Sequence, residues 1–176
     1  MLTTARLVLR EFVEDDWRAL HAYESRADVT RYLPFEPRSE DDARQYVQGI
    51  MVHAGETPRT VLDFAITLDG TMIGRTGMRR KDDELRVAML WFTIDPRHGG
   101  KGYVTEAAAA LLRYAFEEVK LHRVYGECDP RNHASARVME KLGMRREAEH
   151  IEDIWIKGEW CGTYVYAMLA REWAAR

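Results

Sequence analysis

The sequence predicts a mixed α/β (α+β) domain built on one sheet, with about six to seven strands flanked by about four helices. Three features carry that expectation. Arg6 to Ile50 reads as strand, helix, loop and helix. Thr60 to Ile94 is β-rich around an Asp69–Gly70 pair. Gly102 to Leu169 alternates helix with strand and closes on two strands. At 176 residues the chain is long enough to bury one real core, so residues 1–176 are read as a single domain.

Taken in order, "RLVLREF" (Arg6 to Phe12) alternates apolar and polar residues, the mark of a half-buried strand. Trp17, Leu20 and Tyr23 then recur at helical spacing. "YLPFEPRS" (Tyr32 to Ser39) has two prolines and reads as a loop. Ser39 with Asp42 three residues on looks like a helix start, and Ala43, Tyr46, Val47 and Ile50 give that helix one apolar face. "TVLDFAITL" and "TMIGRTGMRR" flank Asp69–Gly70, a hairpin signal. A third strand, Leu85 to Ile94, follows a turn at "KDDE". Ala108, Leu111, Leu112, Ala115 and Val119 give the clearest helix in the chain. A strand at Arg123 to Asp129 and a shorter helix through Ala134, Val138 and Leu142, stopped by Gly143, come next. Strands around Ile151 to Ile156 and Tyr164 to Leu169 finish the sheet.

Composition narrows the function. The 26 Lys and Arg against 29 Asp and Glu leave a net charge of −3, which argues against a dedicated nucleic-acid binder. Cys128 and Cys161 form no C-x-x-C pair and read as reduced thiols of a cytoplasmic protein. No stretch reads as a signal peptide. The longest uncharged run, Trp160 to Ala170, is too short to span a bilayer, so no membrane partner is expected. The six histidines show no metal-binding spacing, so no metal is expected.

The most informative stretch is "DPRHGGKGYVTEA" (Asp95 to Ala107), three glycines between a strand and a strong helix. Glycine costs backbone entropy, so it solves a local problem: a tight turn, or a ligand that approaches the backbone. A helix N-terminus carries free N–H groups and the positive dipole end, a ready phosphate site, and Arg97, Lys101 and His98 add positive charge there. Two nucleotide loops fail on residue identity. A Walker loop needs Ser or Thr after Lys101, where Gly102 stands, and a dinucleotide loop needs glycine where Thr105 stands. The string alone leaves turn and anion site both open.

The rest of the chain speaks to that choice. Arg97, Gly100 and Gly102 fill the [Q/R]-x-x-G-x-[G/A] pattern of the GNAT superfamily, the acyl-CoA-dependent N-acyltransferases, and "GKGYVTEA" resembles its RimJ/RimL-like branch. "TARLVLREFVEDD" (Thr4 to Asp16), "TRYLPFEPRSEDDARQYV" (Thr30 to Val47), "ECDPRNHASARVMEKLGM" (Glu127 to Met144) and "DIWIKGEWCGTYVYAMLAREW" (Asp153 to Trp173) resemble further segments of that branch, in order. The resemblance implies a GNAT fold and an acyl-CoA donor, acetyl-CoA or a longer acyl-CoA such as succinyl-CoA. It implies that the amides of His98, Gly99, Gly100, Lys101, Gly102 and Tyr103 hold the pyrophosphate. The backbone of Phe92, Thr93 and Ile94 would pair with the pantetheine arm, and Asn132 would hydrogen-bond it. The reaction would be direct attack of a primary amine, on a protein N-terminus or a small molecule, on the thioester.

Two positions depart from the family pattern. Met139 stands where many members carry a tyrosine that protonates the leaving thiolate, and Ile154 where this branch carries a carboxylate base. Ser135, three after Asn132, is the branch's substitute donor to sulfur. Glu152, two residues before Ile154 and so on the same strand face, is the candidate base, with proton loss to water as its competitor. Glu106 reads as first-turn helix stabilisation. Trp91 and Phe35, in the loop Tyr32 to Arg38, are candidate walls of the acceptor site. "REAEHIED" (Arg146 to Asp153) would draw in a cationic acceptor or simply form a solvated strand edge. The departures keep a non-catalytic acyl-CoA-binding protein as the alternative, and the oligomeric state leaves a homodimer open.

Overall fold

A computed structural model describes residues 1–82 and 86–176. The described chain forms one eight-stranded sheet in the order β1-β2-β3-β4-β5-β6-β8-β7. The strands are β1 (Leu2–Thr3), β2 (Val8–Arg10), β3 (Val61–Leu68), β4 (Thr71–Asp82), β5 (Val87–Ile94), β6 (Arg123–Cys128), β7 (Arg145–Ile156) and β8 (Glu159–Leu169). The helices are α1 (Asp16–Glu24), α2 (Ala27–Thr30), α3 (Glu40–Ala54), α4 (Tyr103–Glu117), α5 (His133–Lys141) and α6 (Ala170–Ala174). All pairings are antiparallel except β5 with β6.

The expected order is present, with three short additions: β1, α2 and α6 hold two, four and five residues. The turn expected at "KDDE" and the strand start at Leu85 fall partly in residues 83–85, outside the described residues. Local chemistry explains the elements that matched. Ser39 Oγ accepts from the Asp42 amide at 3.1 Å and the Asp42 carboxylate accepts from the Ser39 amide at 3.0 Å, a closed capping box at the start of α3. Leu68 pairs with Thr71 across the two-residue Asp69–Gly70 turn.

The sheet is buried on both sides by unlike layers. On one face α4 and α5 lie over Leu62, Phe64, Ile66, Ala88, Leu90 and Val124. Leu111, Leu112 and Phe116 of α4 are buried there, each contributing about 1.5–3 kcal/mol. On the other face α1 and α3 cover Val61, Ala65 and Met72, with Trp91 at the margin. Alternation in β3 divides its residues between the two: Leu62, Phe64 and Ile66 face α4, while Val61, Asp63 and Ala65 face α1 and α3.

The second face also holds a buried charge network. Glu24, fully buried, accepts from Arg38 Nε at 2.6 Å and Arg75 Nε at 2.9 Å. Arg75 Nη1 also donates to Tyr46 Oη at 2.7 Å and to Asp63 Oδ2 at 3.2 Å, and Tyr46 Oη donates to Asp63 Oδ2 at 2.5 Å. Burial pushes the Asp63 carboxyl up, against the opposing pull of Arg75, Tyr46 and Trp91.

Candidate active site

The site begins where β5 and β6 part. Their parallel pairing runs Val87 with Arg123, Ala88 with Val124 and Met89 with Tyr125, then stops. Both strands continue, because each keeps its outer partner: Ile94 stays paired with Gly74, and Cys128 with Tyr164. The result is a fixed gap whose inner β5 edge, from Leu90 to Ile94, offers backbone groups with no partner across it on β6. Side chains alternate around it. Phe92 and Ile94 pack toward the α4 and α5 face, as do Val124 and Gly126 of β6. Trp91 and Thr93 turn to the α1 and α3 face, and the alternation of β6 turns Tyr125 and Glu127 the same way.

On the α4 and α5 side two grooves adjoin, sharing Ile94, Val104, Ala134 and Val138. The first, of about 240 Å³, is lined by Phe92, Thr93, Ile94, Asn132 and Ser135. Asn132 caps α5, its Oδ1 accepting from the Ser135 amide at 3.1 Å, which leaves its amide NH₂ for a ligand. The second, of about 280 Å³, is lined by His98, Gly99, Gly100, Gly102 and Tyr103.

The glycines have a backbone reason. Gly100 and Gly102 stand at φ +73° and +81°, where a side chain is strained, and a Cβ on Gly100 would meet nothing within 4 Å. Gly102 is the N-cap of α4 and provides no side-chain cap, so the first-turn N–H groups stay free. His98 Nδ1, buried in the same loop, has no partner among the described residues. An open cradle with orphan donors fits the phosphates of an acyl-CoA.

Neighbouring side chains hold the cradle in shape. Asp95 accepts from the Arg97 amide and guanidinium, both at 2.9 Å, and Arg97 holds the Asp95 carboxyl below the usual carboxylate range. Glu106 accepts from Thr4 Oγ1 at 2.6 Å, the Arg6 amide at 2.9 Å and Arg6 Nε at 2.7 Å. Burial alone would raise the Glu106 carboxyl, but these hydrogen bonds outweigh it and hold it low. Arg6 Nη1 then donates to the Lys101 carbonyl at 3.1 Å, so Glu106 anchors the loop to the N-terminal segment.

Several sequence candidates fall elsewhere. The Arg97 guanidinium is turned onto Asp95, and neither Arg97 nor Lys101 lines the grooves. The cations that do are Arg137 and Lys141, on one face of α5 at i, i+4 and without an ion pair among the described residues. Sequence reading missed them, although their spacing was visible. Phe35 lies under the Arg38 guanidinium at 4.2 Å, and Tyr32, Leu33 and Pro34 of the same loop line a third cavity instead. Glu152 sits exposed at φ +50° in a bulge of β7, where the register shifts between His150 and Ile154. The bulge breaks strict alternation, so the argument that put Glu152 on the face of Ile154 does not hold: Ile154 lines the third cavity and Glu152 does not. Met139, 1% exposed, packs beside Gly126 inside the core. The carboxylates of "REAEHIED" lie along the outer edge strand, Glu147 paired with Arg123 and Arg145 and Glu149 with Arg146.

The third cavity, of about 250 Å³, opens on the α1 and α3 side of the gap. Trp91 forms one wall, with Met89, Ile154 and Ile156. Cys128 also lines it. Burial, with Asp129 and Glu140 adding, pushes its thiol up to about 11, so it stays protonated at neutral pH.

Comparison with known proteins agrees with this geometry. Residues 6–145 match the Acetyltransferase (GNAT) domain. The uncharacterized N-acetyltransferase YnaD of Bacillus subtilis is 36% identical over 98% of both chains. The spermidine N(1)-acetyltransferase of Escherichia coli is 26% identical over 86% of this chain and 80% of its own. A crystal structure of a GNAT-family acetyltransferase from Bacillus anthracis superposes with a TM-score of 0.87 at 35% identity, covering 97% of this chain and 99% of that one. With a family match over most of its length and the split-strand site that an acyl-CoA fits, the chain belongs to the GNAT acetyltransferase family.

Proposed function

We propose that the chain acetylates a primary amine through the gap between β5 and β6, acetyl-CoA lying on the α4 and α5 side and the amine on the other. The observation that carries this reading is the end of β5–β6 pairing at Met89 and Tyr125, with a groove on each side of the opening. Bound acetyl-CoA supplies an acetyl thioester that the amine attacks directly, forming a C–N bond and breaking the C–S bond.

The residues divide the work. The amides from Gly100 to Tyr103 and the first turn of α4 hold the phosphates, with Arg137 and Lys141 adding charge, whereas the amides expected from His98 and Gly99 are already spent on the Asp95 and Pro96 carbonyls at 2.8 Å and 3.0 Å. The free edge of Phe92, Thr93 and Ile94 and the amide of Asn132 align the pantetheine arm. Ser135 donates a hydrogen bond to the leaving sulfur, and the thiolate takes its proton from solvent. Proton loss to water fits the attacking amine better than a role for Glu152, which lines none of the three cavities. The acceptor, a protein N-terminus or a small amine, follows the RimJ/RimL-like resemblance. Two free cysteines and a donor made inside cells favour a cytoplasmic setting.

The test follows free thiol in a mixture of protein, acetyl-CoA and a panel of amines. Amine-dependent thiol release is expected, and acetyl-CoA binding without release from any amine would sink the reading. In the same assay Ser135→Ala should lower kcat about tenfold or more while leaving acetyl-CoA affinity within about twofold. An unaltered rate, with chemistry limiting, would remove Ser135 from the mechanism.

A further inference from the structure

The cavity on the α1 and α3 side is specific enough to name an acceptor class. This step rests on the proposed acetyl transfer. We infer that the acceptor is a compact primary monoamine on an apolar body, an arylethyl or branched alkyl amine, whose nitrogen docks as the ammonium at Glu127 and attacks the thioester after losing its proton to water.

Three observations carry it. The first is charge. Two carboxylates line the cavity, Glu127 and Asp129. Asp129 is committed: it accepts from the Arg131 amide at 2.8 Å and from Arg131 Nη2 at 2.6 Å, and Arg131 holds its carboxyl below the usual range. Arg131 reaches on to Glu159 at 2.9 Å, so that carboxylate is matched too. Glu127, exposed at the rim, makes no hydrogen bond or ion pair among the described residues. One unmatched carboxylate suits one cation. A polyamine would bring further charges to a mouth where Arg31 and Arg131 already stand over the Tyr32 ring, at 5.2 Å and 5.7 Å.

The second observation is lining and size. Trp91, Met89, Leu33, Ile154 and Ile156 make the interior apolar. A dry cavity of about 150 Å³ holds a benzene ring, so about 250 Å³ seats one ring with a short chain. The third is position. Glu127 lies two residues beyond Tyr125, the last β6 residue paired with β5, and on the same strand face as Tyr125. It therefore stands beside the opening through which an amine reaches the donor groove, whereas the edge-strand carboxylates of β7 do not.

The experiment compares kcat/KM for 2-phenylethylamine, isopentylamine, spermidine and a hexapeptide with an N-terminal serine, at saturating acetyl-CoA. The two apolar monoamines should exceed spermidine and the peptide by about tenfold or more. Preference for spermidine or the peptide overturns the acceptor class and leaves acetyl transfer standing. No thiol release with any amine, despite acetyl-CoA binding by calorimetry, overturns both. Glu127→Gln should raise KM for 2-phenylethylamine about tenfold or more, the loss expected for a charge-assisted hydrogen bond, with a smaller change in kcat and unchanged acetyl-CoA affinity. An unaltered KM removes Glu127 from acceptor recognition.

Discussion

Gly77 decides where Trp91 lies. Register sets Asp63, Gly77 and Trp91 side by side across β3, β4 and β5. With no side chain between them, the indole lies flat over Gly77: a Cβ there would stand 2.5 Å from Trp91 Cζ2 and 2.5 Å from the Leu62 carbonyl oxygen. The cavity wall that Trp91 forms is thus shaped by an absence one strand away, which no reading of Trp91 alone reveals. Gly77→Ala should lower stability by about 1–3 kcal/mol, the usual cost of overpacking, read from the denaturant midpoint. Combined with Trp91→Ala, the loss should fall short of the sum of the two single losses, because the first clash has gone. Strictly additive losses would mean that the Cβ does not meet the indole.

Elements differ in how far the sequence announces them. The α4 helix was legible because its apolar residues keep helical spacing for four turns, and β3 and β4 because Asp69–Gly70 separates two β-branched runs. The α2 and β1 elements were not, since four residues and two residues are too short to show a period. The open glycine loop was readable from residue identity, yet the cations beside its groove were not: Arg97 turns back onto Asp95, while Arg137 and Lys141 arrive from α5, a helix remote in sequence. Glu152 shows a sharper limit. Strand alternation holds only while register holds, and one bulge in β7 moved the expected base away from the site. For the loop itself the prediction is direct. Gly100→Asp or Gly102→Asp combines left-handed backbone strain with a negative charge at the phosphate cradle, and should weaken acetyl-CoA binding about tenfold or more by calorimetry. Undiminished affinity would mean that these glycines serve only the turn.

Across the whole molecule the two faces of the sheet solve different problems. The α4 and α5 side rests on an apolar layer, α4 against β3, β4 and β5. The acceptor side rests on charge: Glu24 of α1, Arg38 before α3, Tyr46 of α3, Asp63 of β3 and Arg75 of β4 form one buried network. Thr93 of β5 reaches it too, donating to Glu24 at 3.3 Å, and Thr93 lines the donor groove. Burial opposes the charge on Arg75, but the surrounding Tyr46, Glu24 and Asp63 outweigh it and keep the guanidinium charged. Such a network is weak evidence of net stabilisation, because desolvation cancels much of the attraction, but it is intolerant of a missing partner. Arg75→Met would leave Asp63 buried without a cation, while Glu24 would keep only Arg38. It should cost about 3–5 kcal/mol, a fall in Tm of about 6–20 °C for a chain of this size. Adding Asp63→Asn should restore part of the loss, since Glu24 keeps Arg38 as its partner at 2.6 Å and the double variant then buries no carboxylate without a cation. If Arg75→Met alone leaves Tm within about 2 °C, or if adding Asp63→Asn deepens the loss, this face does not depend on balanced charge and its helices are held by the apolar contacts of α1 and α3 alone.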